Sequence, residues 1–152
     1  MQTETRSNTT HSNPELLQVA LELAREAERA GDHPYGAVIV TGQGTIAERN
    51  RVESTPDPTA HSEVMALRSA ARQWGLPALA GATLVTSFEP CPMCCGAILE
   101  AGVGRLVIGA RRTVGEAPLG DYRVEALLAM LGRADDLAVE TLALPEIAEF
   151  YA

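Results

Sequence analysis

The sequence lacks a long hydrophobic run, and this absence limits where the protein can act. No stretch approaches the ~20 consecutive apolar residues that a transmembrane helix needs. The opening residues, MQTETRSNTTHSN, contain no apolar segment of the kind found in secretory signals. We therefore expect a cytoplasmic protein with no membrane partner.

An excess of basic residues is also absent. The chain carries 12 basic and 20 acidic side chains, which gives a formal net charge of −8 and a pI near 4.8. Residues 120–152 are the most unbalanced part, since seven acidic residues there stand against two arginines. A nucleic-acid backbone attracts the opposite sign of charge, so we expect no nucleic-acid partner.

Cysteine is scarce, and all 3 copies lie in one short stretch, T-S-F-E-P-C-P-M-C-C-G, at residues 86–96. An odd number of cysteines in a reducing compartment argues against a disulfide framework. Cys94 and Cys95 are adjacent, and a disulfide between neighbours is strained. The cluster is therefore predicted to bind a metal or to take part in catalysis.

The chain of 152 residues is long enough for one domain with a sizeable core. Residues 1–12 are polar and are predicted to form a disordered tail, and residues 13–152 the domain. Periodicity and turn residues predict helices near 13–31, 59–74, 92–101, 122–132 and 145–150, and strands near 35–41, 45–49, 82–88, 103–110 and 137–142. This alternation indicates an α/β protein whose parallel or mixed sheet has helices on both faces.

Two short segments supply a set of metal ligands. Cys91 and Cys94 are three residues apart at the start of a predicted helix, so both sulfurs can reach one ion. His61 opens the preceding helix, and Glu63 follows two residues later. Three ligands, His61, Cys91 and Cys94, leave one position on Zn²⁺ for water, as in catalytic zinc sites, and Glu63 is then free to move protons. The alternative is a closed structural site with Cys95 as its fourth ligand.

The same residues carry a family resemblance, since H-x-E followed by P-C-x-x-C is typical of zinc deaminases. Residues 57–67, D-P-T-A-H-S-E-V-M-A-L, are similar to the D-P-T-A-H-A-E motif of guanine deaminases and tRNA adenosine deaminases, with Ser62 in place of the usual alanine. Residues 89–98, E-P-C-P-M-C-C-G-A-I, are similar to their E-P-C-x-M-C-x-G-A motif, and residues 34–38, P-Y-G-A-V, to their P-x-G-A-V strand start. The chain thus resembles the cytidine-deaminase-like superfamily over about residues 14–112.

The resemblance implies a three-layer α-β-α fold with a central mixed five-stranded sheet. It also implies one Zn²⁺ per subunit, held between two helices, and a homodimer whose sites lie near the subunit interface. From the family we expect Asn50 to hydrogen-bond the substrate ring, and backbone groups at Ala60 and Ser87 to complete the edge contacts. Asp121 and Tyr151 are candidates for an acidic loop residue and a C-terminal aromatic that contact the base in guanine deaminases. For Asp121 the alternative is a helix N-cap.

The predicted function is hydrolytic deamination of a small, free aminated heterocycle, with a guanine-like purine favoured and ammonia released. Glu63 is the predicted catalytic residue, which transfers protons between water, a ring nitrogen and the leaving amine. Three alternatives remain open at this point. They are deamination of a cytosine-like base or another cyclic amidine such as isocytosine or creatinine, adenosine-to-inosine deamination of tRNA, and a non-catalytic, zinc-stabilised binding domain.

Overall fold

The computed structural model describes residues 4–6 and 11–152. Its six-stranded sheet has the order β1-β3-β2-β4-β5-β6. The strands are β1 (Glu4–Arg6), β2 (Gly36–Thr41), β3 (Gly44–Arg49), β4 (Thr83–Phe88), β5 (Arg105–Ala110) and β6 (Ala138–Thr141). The helices are α1 (Asn13–Arg29), α2 (Ser62–Trp74), α3 (Pro92–Ala101), α4 (Val124–Met130) and α5 (Pro145–Phe150), with a 3₁₀ turn at Leu76–Leu79.

The strand directions make the sheet mixed, as expected. β2 pairs antiparallel with both β3 and β4. β4, β5 and β6 run parallel, and a helix connects each to the next, as parallel neighbours require. The predicted central five-stranded sheet is therefore confirmed as β2 to β6, and β1 adds a short sixth strand beside β3.

Two hydrophobic layers enclose this sheet, which confirms the α-β-α architecture. On one face, α1 and the buried Ile147 of α5 pack against residues such as Val38 and Val107. On the other face, α2, α3 and α4 pack against residues such as Ile39 and Leu106. Alternate residues of each strand thus enter opposite layers, as the two-residue repeat of a strand requires. No helix within the described part of the chain has the length and apolar character needed to cross a membrane.

The start of the chain differs from the prediction. Most of the predicted tail, at residues 1–3 and 7–10, lies outside the described residues. Glu4–Arg6, however, forms β1 and pairs antiparallel with β3, with Glu4 opposite Ala47. The outer edge of β3 offers unpaired backbone groups that a short polar segment can satisfy, and no hydrophobic pattern in the sequence signals this.

The first helix begins at Asn13, where the sequence predicts it. Ser12 is the N-cap, and its hydroxyl accepts a hydrogen bond from the backbone N–H of Glu15. The Glu15 carboxylate in turn accepts one from the backbone N–H of Ser12. This capping box satisfies two of the backbone donors that a helix start leaves without partners, and it fixes where α1 meets the sheet.

Candidate active site

One edge of the sheet brings the predicted ligands together. β4 and β5 are parallel, so both end at this edge, where ligand sites of α/β sheets commonly lie. Cys91 follows β4 and is the N-cap of α3, and His61 is the N-cap of α2. Helix α2 begins later than predicted because Asp57 Oδ1 accepts hydrogen bonds from the N–H and hydroxyl of Thr59, which holds that segment in a turn.

The three predicted zinc ligands converge. His61 Nδ1 lies 3.6 Å from Cys91 Sγ and 3.5 Å from Cys94 Sγ. The three ligand atoms all lie within 4.8 Å of one another. A tetrahedral zinc ion with ordinary Zn–N and Zn–S bonds separates its nitrogen and sulfur ligands by about 3.6 Å. His61, Cys91 and Cys94 therefore fit one Zn²⁺, and both helix N-termini direct partial positive charge toward the thiolates.

The proton chemistry of the triad also suits a metal. The Cys94 thiol donates to Cys91, and together with His61 this hydrogen bond outweighs burial and lowers the pKa of Cys91 to about 4. The same bond to Cys91, followed by burial, raises the pKa of Cys94. Hydrogen bonding to Cys91 raises the pKa of His61. The three side chains thus share protons that a cation can replace.

Cys95 takes no part in this group. Its side chain is fully buried and belongs to the hydrophobic core between α3 and the sheet. Within the residues that the structure describes, the possible metal-binding group contains only His61, Cys91 and Cys94. Adjacent residues of a helix point about 100° apart, which directs Cys95 away from the site. The alternative of a closed site with Cys95 as fourth ligand is wrong.

Glu63 lies beside the triad in a setting that suits proton transfer. It is 6% exposed, and burial raises the pKa of its carboxyl group. The buried hydroxyl of Ser62 donates a hydrogen bond of 2.9 Å to Glu63 Oε1. This bond holds Oε1 against Ser62 while the carboxyl group keeps further acceptor capacity for other partners. A carboxyl group whose pKa lies closer to neutrality can both accept and return a proton.

A cavity of about 260 Å³ opens onto these groups. Its lining residues are Tyr35, Asn50, His61, Glu63, Phe88, Glu89, Cys91 and Arg112. The volume is slightly below the usual range of ligand pockets, which favours a small ligand. A larger cavity of about 440 Å³ lies along α1. Because the smaller of these two cavities is lined by predicted zinc ligands and Glu63, it is the candidate active site.

Asn50 reaches this cavity, as expected from the family. It directly follows β3, and 2% of its surface is exposed. Its side-chain oxygen accepts a hydrogen bond of 3.0 Å from the Val52 N–H. The amide NH₂ is therefore the part of Asn50 that a ligand can engage, as a donor.

Ala60 and Ser87 do not line the cavity. The Ala60 N–H donates to the Asp57 carbonyl, and its own carbonyl accepts from the Arg51 N–H, so the loop uses both groups. The Ser87 hydroxyl is fully buried and accepts a hydrogen bond of 3.0 Å from the Gly36 N–H. The edge contacts with substrate that the family resemblance implies for these two residues remain predictions.

Asp121 and Tyr151 also lie outside the cavity lining. Asp121 is exposed, and it is not a helix N-cap either, because α4 begins at Val124 with Arg123 as its cap. The Tyr151 hydroxyl donates to the Pro34 carbonyl at 2.7 Å and lies 2.8 Å from Ser87 Oγ. Tyr151 supports the cavity wall of its own chain from behind.

The sequence prediction missed two charged residues of the cavity, Glu89 and Arg112. Glu89 belongs to the quoted E-P-C motif but received no role, and Arg112 lies two residues after β5. A usable signal existed, because both follow neighbouring parallel strands whose ends meet at one edge.

Comparison with known proteins identifies relatives of this site. A guanine deaminase of Bacillus subtilis is 46% identical over 100 residues, which are 64% of this chain and 64% of the relative. A tRNA-specific adenosine deaminase of Haemophilus influenzae is 43% identical over 97 residues, 62% of this chain and 56% of the relative. A tRNA(Ile)-lysidine synthase of Deinococcus radiodurans is 47% identical over 93 residues, 60% of this chain but 16% of the relative. The chain thus spans less than two thirds of each of these relatives.

Among solved structures, a guanine deaminase and a structure from work on tRNA deaminases are similar to this chain. A guanine deaminase from Nitrosomonas europaea superposes with a TM-score of 0.71 and 30% identity over 91% of this chain and 80% of that chain. A structure from work on tRNA:A34 deaminases has a TM-score of 0.65 and 27% identity over 85% of this chain and 98% of that chain.

The family described as the cytidine and deoxycytidylate deaminase zinc-binding region matches residues 10–110. This range includes His61, Glu63, Cys91 and Cys94, the four residues that the geometry brings together. The chain therefore belongs to the cytidine and deoxycytidylate deaminase zinc-binding family.

Proposed function

We propose that this protein is a zinc-dependent hydrolase that removes the amino group from a small free purine base related to guanine and releases ammonia. One observation carries the proposal. Two members of the His-Cys-Cys triad, His61 and Cys91, line the same small cavity as a buried carboxyl group, Glu63. This combination supplies a metal site and a proton carrier at one point, which hydrolysis of a C–N bond requires.

His61, Cys91 and Cys94 would hold the ion. Bound zinc at such a site lowers the pKa of a coordinated water to roughly 7 and polarises the substrate. Glu63 takes one proton from the attacking water and passes it to the ring nitrogen beside the reacting carbon. It then carries the second proton to the amino group, so that the C–N bond breaks, ammonia leaves and the ring carbon keeps the water's oxygen. The Ser62 hydroxyl, which donates to Oε1, restricts the orientation of the carboxyl group during both transfers.

The substrate class rests on the size of the cavity, the charge of the chain and structural similarity. A cavity of about 260 Å³ suits one heterocycle better than a nucleotide. The net charge of −8 opposes the approach of an RNA backbone. The N. europaea guanine deaminase matches 91% of the chain with a TM-score of 0.71, against 85% and 0.65 for the tRNA:A34 deaminase structure. Asn50 supplies a hydrogen-bond donor to a base in the cavity.

A second candidate is deamination of adenosine in tRNA. Sequence identity favours it almost equally, at 43% for the H. influenzae enzyme against 46% for the B. subtilis guanine deaminase. Binding of tRNA to an acidic protein would need a local basic surface, and it would weaken steeply as salt is added.

The test is ammonia release by the zinc-loaded protein from guanine, adenine, cytosine, isocytosine, creatinine and an anticodon stem-loop RNA, with Glu63→Gln as the blank. We expect release from guanine that Glu63→Gln abolishes while zinc content stays at one per chain. Release from the RNA alone would establish the second candidate. Silence with every substrate, in protein that contains zinc, would contradict an enzymatic role and favour a binding domain.

The family resemblance also implies a homodimer, and we propose one here. Met93, which lies between the two cysteine ligands in sequence, is 39% exposed and offers apolar surface to a partner. Sedimentation equilibrium distinguishes a dimer from the 16.1 kDa monomer.

A further inference from the structure

Two adjacent arginines, Arg111 and Arg112, follow the end of β5. Their side chains differ in the partners that they contact. Arg111 donates to both oxygens of Glu125, at 2.8 and 2.6 Å, to Glu89 at 3.1 Å, and to the Thr141 hydroxyl at 2.9 Å. The Arg112 guanidinium makes no hydrogen bond or ion pair with any residue that the structure describes. It lines the candidate active site instead. Arg111 therefore serves the fold, whereas Arg112 has its donors available to a ligand.

The backbone of Arg112 is held in place even though its side chain has no partner. Its N–H donates to Glu89 Oε1 at 3.2 Å. The other oxygen of Glu89 accepts from the Val124 N–H at 3.0 Å and from Arg111. Glu89 is 3% exposed, so this network is fixed inside the protein. Glu89 thus anchors the segment that carries Arg112 and has little capacity left for substrate.

The cavity wall around Arg112 is rich in hydrogen-bond donors. The side-chain oxygen of Asn50 is occupied by the Val52 N–H, so Asn50 presents its NH₂ group. Arg112 has five N–H donors and no acceptor. The Arg112 charge also lies close to Tyr35, because it opposes the rise in pKa that burial causes in the Tyr35 hydroxyl. A ligand that satisfies this wall must present acceptor oxygens or nitrogens.

We propose that Arg112 is a specificity-determining residue, which selects aminated bases that carry a ring oxo group over analogues with an amino group at that position. The inference rests on the proposed function, because it concerns the base that the same site binds. An oxo oxygen accepts a hydrogen bond from the guanidinium, whereas an amino group in its place is itself a donor and leaves the half-buried guanidinium without a partner. Guanine and 2,6-diaminopurine differ in this group and in the N1 hydrogen that accompanies the oxo form, so the pair tests the idea.

The experiment compares kcat/KM for guanine and 2,6-diaminopurine in the unmodified protein, in Arg112→Met and in Arg105→Met. Arg105 is an exposed arginine at the opposite end of β5, which makes it a matched control. We expect the guanine-to-diaminopurine ratio to fall about 10- to 100-fold in Arg112→Met and to stay unchanged in Arg105→Met. Zinc content should be one per chain in all three proteins.

A binding measurement separates recognition from turnover. In a Glu63→Gln background, calorimetry with guanine should show the same loss of affinity when Arg112→Met is added. An unchanged ratio and an unchanged affinity, with guanine turned over normally, would overturn this inference alone. Absence of turnover of either base by the unmodified protein would overturn the proposed function together with it. A preference for guanosine monophosphate that Arg112→Met removes would assign the guanidinium to a phosphate and also overturn the inference.

Discussion

Ser62 stands next to the predicted catalytic residue and limits how it can point. Its hydroxyl and the Glu63 carboxyl are both buried, and they are joined by a hydrogen bond of 2.9 Å. Since a carboxyl group with one oxygen held is restricted in its rotation, we expect Ser62 to position Glu63 for the proposed proton transfer. The family motif that this segment resembles has alanine at this position. Replacing Ser62 by alanine therefore measures what the hydroxyl contributes to activity.

We expect Ser62→Ala to lower kcat for guanine about tenfold, the value of one hydrogen bond to a charged group. Zinc content should not change, because Ser62 is not a ligand. The control is Ser69→Ala, which removes another serine hydroxyl of helix α2, one that donates a hydrogen bond to Glu48. It should leave kcat unaltered. Steady-state kinetics and metal analysis of the two variants make the comparison. An unaltered kcat in Ser62→Ala would refute the positioning role.

At the scale of elements, the residue that follows the C-terminal helix packs against the cavity wall at the start of β2 and the end of β4. The Tyr151 ring packs edge-on against Phe88, with centroids 5.0 Å apart, and stacks on Tyr35 at 6.0 Å. Both neighbours line the cavity, but Tyr151 does not. Ile147 secures α5 in the core beneath α1. The two aromatic side chains of the wall are therefore supported by Tyr151, which is distant from both of them in sequence.

Tyr151→Ala should raise KM for guanine about tenfold, because the wall loses its support and the base is held less well. Tyr151→Phe keeps the ring contacts and loses only the hydroxyl's hydrogen bonds to the Pro34 carbonyl and to Ser87 Oγ. We expect it to cost about 1 kcal/mol of unfolding free energy with little effect on KM. Kinetics and urea unfolding distinguish the two changes. Equal KM values for both variants and the unmodified protein would contradict support by the ring.

A buried ion pair joins the end of α1 to the loop that carries Asn50. Asp32 Oδ2 accepts from Arg49 Nη1 at 2.7 Å, and Oδ1 accepts from the N–H groups of Glu53 and Ser54 at 2.8 Å. Burial alone would raise the pKa of Asp32, but the bond from Arg49 and the bonds from Ser54 and Glu53 outweigh it and lower the pKa to about 2. Arg49 Nη1 also donates to the Asn50 carbonyl.

Because the folded pKa lies below the ordinary value of 3.8, the ionised Asp32 stabilises the protein above about pH 4, and this contribution disappears as the pH falls toward 2. Asp32→Asn should therefore lower the unfolding free energy by about 2 kcal/mol at pH 7. The difference from the unmodified protein should shrink as the pH approaches 2. Urea unfolding at a series of pH values measures it, with Glu22→Gln on the surface of α1 as control. A pH-independent difference would exclude this origin.

At the scale of the whole molecule, the zinc site joins the loop before α2 to the start of α3, which are 30 residues apart in sequence. Metal binding to such a site stabilises the folded state alone. Removing zinc with a chelator should therefore lower Tm by on the order of 10 °C, and added zinc should restore it. Differential scanning calorimetry makes this measurement.

The adjacent cysteines provide the matched variants for the same experiment. Cys94→Ser should contain little zinc and melt like the chelated protein. Cys95→Ser places a hydroxyl in the core, which costs about 1–3 kcal/mol, but it should retain one zinc per chain. Full zinc occupancy in Cys94→Ser, or its loss in Cys95→Ser, would contradict the ligand assignment.

The sequence predicted the parts of this molecule that depend on local pattern. The strands and helices followed from their periodicity, and His61, Glu63, Cys91 and Cys94 followed from spacing at two helix starts. The residues that form the cavity wall could not be predicted in this way, because the wall depends on contacts between segments distant in sequence. Arg112 lines the cavity because Glu89 holds its backbone, and Asp121 misses the cavity because the intervening loop leaves it exposed. The pairing of β1 was equally invisible, since it depends on the open edge of β3.

The metal-binding triad and parts of the cavity wall come from different parts of the sequence, and this affects how such proteins diverge. The metal ligands and Glu63 occupy residues 61–94, whereas parts of the wall and its support come from Tyr35, Arg112 and Tyr151. Mutations can therefore alter the choice of substrate while the reaction itself is inherited intact. A descendant could acquire a new substrate by exchanging a few flanking side chains. For this reason, overall identities of 46% to a guanine deaminase and 43% to a tRNA-specific adenosine deaminase discriminate poorly between the two substrates.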